Sequence, residues 1–400
     1  MTQECTILCF ASGYDAPPTS KHHVMHILVE EHPVLWVNYH ASRLPSASAS
    51  DLKYIWLKLK QVFAGLKSPR KNLHVLTPLV LPLPGSAWAR RVNRTLLIWQ
   101  IRRALRRIRQ GSLQLWSFTP DIAYLLGRFG EEKVLYYCVD DHAQFTGYDA
   151  GQVLRDEEEL CRRADLVVTT SMALQEAKKA WNPNTILVPH GVDYEHFARA
   201  VTENLPEPED LASIPHPRLG FFGLIRDWVD VDLMAEVARR RPEWHFVLLG
   251  DSSVNLTPYQ TLPNLHFLGR KPYAALPGYC KGFDVGLIPF KINQLTLAVN
   301  PIKLREYLAA GLPVVSTPLP EVKLYQELIG LGDSPESFEA GIQNCLAGAG
   351  ASREARSALM SREDWKGKLQ LIWAVWGSPG RQKRPESESR REEKSPEASK

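Results

Sequence analysis

The sequence predicts an α/β protein of two domains, each built on a parallel sheet with helices on both faces. Three observations carry that reading. Short apolar runs rich in β-branched and aromatic residues alternate with helical stretches along most of the chain, the rhythm of βαβ units. Residues 203–217 break the rhythm with four prolines and several acids, after which it restarts. The 400 residues also exceed what one hydrophobic core fills.

In the first half, residues 5–10, 34–39, 73–80, 113–118, 134–139, 166–171 and 185–189 read as buried strands, each a short apolar run bounded by turn residues or a helical pattern. Helices are expected at 52–66, 90–109, 153–164 and 172–181. Beyond the linker, strands are expected at 218–222, 245–249, 265–268, 284–289 and 313–317, with helices at 231–240, 273–281 and 301–310. A last amphipathic helix at 361–376 carries Trp365, Leu369, Ile372, Trp373 and Trp376. The stretch after it is almost without apolar residues and is expected to be disordered. The division is therefore 1–204, 205–355, a C-terminal helix in 356–377 and a tail from 378 to 400.

Composition excludes several classes. With 44% apolar and 23% charged residues, no uncharged apolar run approaches the roughly 18 residues a spanning helix needs. No basic segment precedes the apolar stretch near the N-terminus, so no secretory signal is read and a cytoplasmic chain is expected. Six cysteines without a C-x-x-C pair argue for reduced thiols rather than disulfides or thiolate zinc. A net charge of +4 does not by itself imply nucleic-acid binding.

The most informative stretch is 300–317, NPIKLREYLAAGLPVVST. Asn300 suits an N-cap, Pro301 a first helical position and Gly311 a C-terminal cap, which frames one short helix. Its N-terminus should face the crevice at the C-terminal edge of the sheet, where α/β proteins bind ligands. Lys303 in the first turn suits a phosphate, and Glu306, one turn on, can accept hydrogen bonds from two ribose hydroxyls. A nucleoside diphosphate therefore fits; a surface salt bridge on a capped helix fits equally well from this segment alone.

The segment P-x-K-x-x-E-Y-x-A-x-G-x-P-V-V-x-T resembles the nucleotide-binding signature of GT-B glycosyltransferases, particularly the group 1 bacterial enzymes of cell-surface polysaccharide synthesis. His190-Gly191-Val192-Asp193 with Phe197, Phe222-Gly223, Leu249-Gly250 and the run 283–289 agree, so the resemblance spans about residues 130 to 320. It implies two Rossmann-like domains facing each other across a cleft. The implied reaction moves a sugar from a nucleoside diphosphate donor to a glycan or lipid-linked glycan, without a metal or other cofactor. Gly223, Arg226, Gly250, Asn300, Lys303 and Glu306 would then form the donor site. The family's E-x7-E pair keeps only its second member here, Ala298 standing where the first Glu would be. A nucleotide-sugar 2-epimerase of the same layout and a non-catalytic nucleotide-binding scaffold remain as alternatives. Donor isomerisation without acceptor, and calorimetry with nucleoside diphosphates, separate them.

On the acceptor side, Asp140, Asp141 and His142 end a strand at the sheet edge facing the cleft, where one could take the proton of an acceptor hydroxyl. Equally, paired acids at a strand end can be helix caps. The resemblance places the helix start near this cleft, with Gly13 and Ser20 as residues that could line it. His22 and His26 sit one helical turn apart but lack further ligands, so no metal site is expected. Asp230 and Asp232 read as helix-start acids. Residues 90–109 hold eight arginines, with Arg102, Arg103, Arg106 and Arg107 opposite the stripe Leu97, Ile101, Leu105 and Ile108. Such a helix suits anionic lipid head groups on the inner face of the cell membrane, or simply a sheet on one side and water on the other. Without interleaved aromatics, nucleic acid is not expected.

Overall fold

A computed structural model describes residues 4–39, 65–81 and 87–377. The expected helix at 52–66 lies outside the described residues up to residue 64, as does the tail from 378. The first sheet contains β1 (Cys5–Ala11), β2 (Val34–Asn38), β3 (Leu66–Arg70), β4 (Leu73–Leu76), β5 (Ser112–Ser117), β6 (Lys133–Cys138), β7 (Leu166–Thr169) and β8 (Thr185–Leu187), in the order β3-β4-β2-β1-β5-β6-β7-β8. All neighbours pair parallel except β3 with β4. The β3 segment, Leu-Lys-Ser-Pro-Arg, carries an edge strand's charge and proline, and Leu66 opens this strand rather than ending a helix.

The second sheet, β11-β10-β9-β12-β13-β14, is parallel throughout. Its strands are β9 (Arg218–Phe222), β10 (His245–Leu249), β11 (Leu265–Gly269), β12 (Val285–Ile288), β13 (Val314–Ser316) and β14 (Gly330–Leu331). The chain lays β9 to β11 outward one way and β12 to β14 the other, so strand order reverses between β9 and β12. In the first sheet the reversal falls between β1 and β5. Both reversals open a crevice at the C-terminal strand ends.

Alternation along β1 divides the first domain's core. Leu8 and Phe10 pack on one face with Leu97, Ile101 and Leu105 of the helix Ala87–Ile108. Ile7 and Cys9 pack on the other with Val24 and Met25 of the helix Ser20–Leu28. That second face is completed by Trp365, Leu369, Ile372 and Trp376 of the helix Trp365–Trp376, which crosses back from the second domain. Lys133 Nζ donates to the Trp376 carbonyl at 3.1 Å, and Trp376 Nε1 donates to Gln114 Oε1 at 3.2 Å. A single core fills the second domain. Its helix Pro335–Leu346 and the helix Arg353–Leu359 carry no motif that singled them out in the sequence.

Candidate active site

The donor side is built from the ends of β9 and β10 and from the helix Ile302–Ala309. Gly223 and Gly250 follow their strands with φ +147° and +148°, backbone that side-chain-bearing residues rarely adopt. A Cβ on Gly250 would lie 1.8 Å from the Gly223 carbonyl oxygen, and one on Gly223 3.2 Å from Lys303 Cε. Both glycines are thus demanded by the close approach of two turns and one lysine. Lys303 Nζ lies 3.0 Å from Glu306 Oε2 and 4.9 Å from the centre of the Phe222 ring. Glu306 is 3% exposed, with Lys303, 21% exposed, between it and solvent. Behind it stand Tyr273 and Cys280, whose ionisation burial and then the Glu306 charge suppress.

Pro301, not Asn300, occupies the N-cap position of this helix, and Gly311 follows the terminal Ala310 with φ +77°. Asn300 is drawn away from capping by two better partners. Its Nδ2 donates to the Thr170 carbonyl at 2.8 Å, and its Oδ1 accepts from Arg305 Nη1 at 2.7 Å. At 3% exposure it ties the two domains together rather than lining the donor pocket.

On the first domain, Asp140 leaves β6 half-buried, and burial pushes its carboxyl up to about 7, against the pull of Lys21. Lys21, at the start of Ser20–Leu28, donates to Ser12 Oγ at 3.1 Å. Burial lowers its ammonium to about 8, while Asp140 acts to raise it. No signal in the sequence gives Lys21 and Ser12 a role, because nothing local shows that a lysine at a helix start will sit across from a strand end two strands away. Asp141 holds the N-cap position of the turn His142–Gln144, yet its side chain makes no capping bond. His142 is buried, edge-on to Phe145 at 5.7 Å. Asp140 is therefore the member of the trio that the fold sets opposite a cation.

The lips of the crevice meet where Thr146 donates to Asp227 and Phe145 approaches Trp228 at 6.0 Å. Arg226, on the same loop, lies 5.8 Å over Trp228, so the β6 and β9 loops face each other. A second seam joins Ser171 Oγ to the Ala298 carbonyl at 2.6 Å and the Met172 amide to Glu321 Oε1 at 2.7 Å. Ala298 is 7% exposed and packs among first-domain core residues. A carboxylate in that position would be buried in the seam.

Between the seams, His190 Nδ1 meets Ser20 Oγ at 3.0 Å. Gly191 passes so close to Trp365 that a Cβ would lie 2.9 Å from the indole. Phe197 stacks on Phe222 at 5.9 Å. The His190–Phe197 motif thus packs where the two domains meet. His23 stacks on Trp365 at 5.3 Å and feels the Lys303 charge, as His190 does.

Other sequence candidates take structural roles. The His22 Nδ1 accepts from the Thr19 amide and its Nε2 reaches the Gly13 and Tyr14 carbonyls, so both ring nitrogens serve the backbone. The Asp230 side chain caps Val231–Arg240 by accepting from the Leu233 amide at 3.0 Å, and Asp232 accepts from the Tyr259 hydroxyl. Arg102, Arg103, Arg106 and Arg107 are exposed on Ala87–Ile108, far from the donor helix in the fold. Among the described residues no three His, Cys, Asp or Glu side chains gather as a metal site, and no helix is long and apolar enough to cross a membrane.

The buried histidines set a stability prediction. His22, His23 and His190 are lowered to about 3, 4 and 3, first by burial, then by Lys21, His26 and Arg305 respectively. Unfolded, each titrates near 6.5. Between about 6.5 and 4 the unfolded chain binds more protons, so their contribution is present above that range and lost as pH falls through it. Asp140 and Asp156, both raised in the fold by burial, work the other way, but these two acids oppose three histidines. Calorimetry should record a Tm falling steadily from pH 7 to pH 4.5, and less steeply in His190→Gln. A Tm that rises over this range would contradict neutral burial.

Two sheets, parallel but for the β3 edge of the first, with crevices at their C-terminal strand ends, make the layout of the GT-B fold. Residues 216–347 match the family described as glycosyl transferases group 1, so the second domain is a group 1 glycosyltransferase domain. The chain is 28% identical over 285 residues to TuaH of Bacillus subtilis (strain 168), named as a teichuronic acid biosynthesis glycosyltransferase; the match covers 66% of this chain and 71% of TuaH. Its fold superposes on Anabaena Alr3699/HepE, solved with UDP and glucose, at a TM-score of 0.62 and 15% identity, covering 93% and 99% of the two chains. Sucrose-phosphate synthase from Thermosynechococcus elongatus gives 0.66 at 13% identity, covering 94% and 98%.

Proposed function

We infer that this protein transfers a sugar from a nucleoside diphosphate sugar to a hydroxyl of a lipid-linked glycan at a membrane surface, without a divalent cation. The observation that carries the reading is the Lys303–Glu306 pair beside Gly223 and Gly250 at a helix N-terminus. In this reading the diphosphate lies over the two glycines and takes Lys303, Arg226 and the free amides of the first helical turn as partners. Glu306, released from Lys303, accepts from the ribose hydroxyls. The bond from the anomeric carbon to the diphosphate breaks as the acceptor oxygen bonds to that carbon, and Asp140 takes the acceptor proton. Cationic side chains then neutralise the departing diphosphate.

The lipid-linked acceptor and membrane surface rest on Ala87–Ile108. Arg102, Arg103, Arg106 and Arg107 with the indoles of Trp88 and Trp99, 64% and 54% exposed, form one outer face. TuaH is named for teichuronic acid biosynthesis, which agrees with an acidic glycan acceptor.

A thermal-shift screen of nucleoside diphosphates and their sugars tests the donor side, beginning with uridine forms because HepE was solved with UDP-glucose. A raised Tm for one nucleotide series, followed by its turnover in a membrane lipid extract at equal rates with and without excess EDTA, is the expected result. Donor isomerisation in the absence of acceptor would move the assignment to an epimerase. Turnover abolished by EDTA and restored by Mg²⁺ would overturn the cation-free mechanism.

A further inference from the structure

The helix Ala87–Ile108 does more than present a charged face. Along one flank it forms an open trough of about 590 Å³ against the turn that leads into β6. Ile98, Leu105 and Phe129 make an apolar floor, Trp99 stands at one lip, and Arg102 and Arg106 stand over it. Among the described residues no acidic side chain lines it.

Its walls are tied together. Arg102 Nε donates to the Arg128 carbonyl at 2.8 Å, and Arg109 Nη1 and Nη2 reach the carbonyls of Phe129 and Gly130 at 3.2 and 3.3 Å. The turn itself is held by Glu131, which accepts from the Phe129 amide at 3.0 Å. With its Nε engaged, Arg102 keeps its terminal nitrogens for a ligand. These hydrogen bonds between the helix and the turn hold the two walls of the open trough in register.

Position matters as much as shape. The helix ends where β5 begins, and Phe129 precedes the start of β6, so the trough lies at the N-terminal edge of the first sheet. The sugar-transfer crevice lies at the opposite, C-terminal edge. The trough is therefore separate from the donor and acceptor sites.

An apolar floor with guanidinium groups above it matches an amphiphile with a hydrocarbon chain and an anionic phosphate. We propose that this trough binds one anionic glycerophospholipid, its acyl chain over Ile98, Leu105 and Phe129 and its phosphate between Arg102 and Arg106. The proposal rests on the membrane reading above and narrows it from a diffuse basic face to a single lipid site. Held this way, the helix lies along the membrane and leaves the crevice open at its Trp88 end.

Helix geometry supplies the test. At about 100° per residue, Arg102 and Arg106 share the trough side with Ile98 and Arg109, whereas Arg103 and Arg107 turn toward the other flank. The double variants Arg102→Glu/Arg106→Glu and Arg103→Glu/Arg107→Glu carry the same charge change on the same helix. Binding of dioctanoyl-phosphatidylglycerol below its micelle concentration is measured by calorimetry, and flotation with phosphatidylglycerol–phosphatidylcholine vesicles runs beside it. The proposal expects one saturable site in the parent, weakened by about tenfold or more in the first variant and within about threefold of the parent in the second. Thr95→Trp, which fills the trough without changing charge, should weaken the site as the first variant does.

Equal weakening by the two double variants would overturn the trough while leaving a diffuse membrane contact. Absence of binding by the parent to both the lipid and the vesicles would overturn the trough and the membrane reading together. Competition by inorganic phosphate at concentrations matching the lipid would mean a simple anion site and overturn the lipid assignment.

Discussion

Replacing Asp140 with asparagine slows sugar transfer by about 10² to 10⁴-fold, the range a positioned general base supplies. The substitution keeps size and most hydrogen-bonding capacity, so its effect is that of lost proton acceptance. Donor affinity stays near the parent value, because Gly223, Lys303 and Glu306 belong to the other domain. The pH profile separates a base from a strut. Burial holds the Asp140 carboxyl up at about 7, so kcat/KM of the parent rises as pH passes through that value and the base ionises. The rising limb disappears in Asp140→Asn. Lys21 holds Asp140 down, so Lys21→Met moves the limb to higher pH. Asp141→Asn keeps the limb but moves it to lower pH, because the Asp141 charge helps to hold the Asp140 carboxyl up. Near-parental turnover in Asp140→Asn would remove it from the mechanism, and a matching collapse of donor affinity would make it a residue of domain closure.

Much of this arrangement is legible in the sequence because it rests on local signals. Parallel strands buried on both faces announce themselves as short apolar runs, and those at 218–222 and 245–249 have the expected bounds. The edge strand Leu66–Arg70 does not, since its lysine, proline and arginine are the residues that keep an edge from pairing further. Lys303 and Glu306, three residues apart on one helix, are one another's neighbours by helical geometry alone. Asn300 shows where local reasoning ends. Its residue type suits a cap, but Thr170, 130 positions earlier, offers a carbonyl that only the docked domains bring within reach. Lys21 is hidden for the same reason. Its significance comes from the β1-β5-β6 order, which sets the first helix opposite the end of β6. The arginine helix was readable as amphipathic, with Leu97 and Ile101 fully buried, while the trough beside it needs Phe129 from a separate turn.

Glu306→Ala weakens nucleoside diphosphate binding by about 10 to 10⁴-fold, the loss expected for one or two hydrogen bonds to a charged acceptor at roughly 1.5 to 3 kcal/mol each. The fold survives. Lys303, left without its partner, is the more exposed of the two and can be hydrated, and the pair contributes little apolar packing. A drop in affinity alone does not separate a ribose contact from a disturbed lysine, so the ligand is varied as well. With the nucleotide that binds best in the thermal-shift screen, the parent should bind the 2′,3′-dideoxy analogue as poorly as Glu306→Ala binds the natural form. The variant should bind both alike, because the hydroxyls have lost their acceptor and the two changes are not additive. Glu306→Gln, which keeps an acceptor oxygen but no charge, should fall between. If the variant still discriminates the dideoxy analogue as strongly as the parent does, the ribose contact lies elsewhere, and Glu306 acts only by holding Lys303 in place. If its affinity for both ligands equals that of the parent, the helix Ile302–Ala309 does not bind the nucleotide at all, and the donor site must be sought at another strand end of the second sheet.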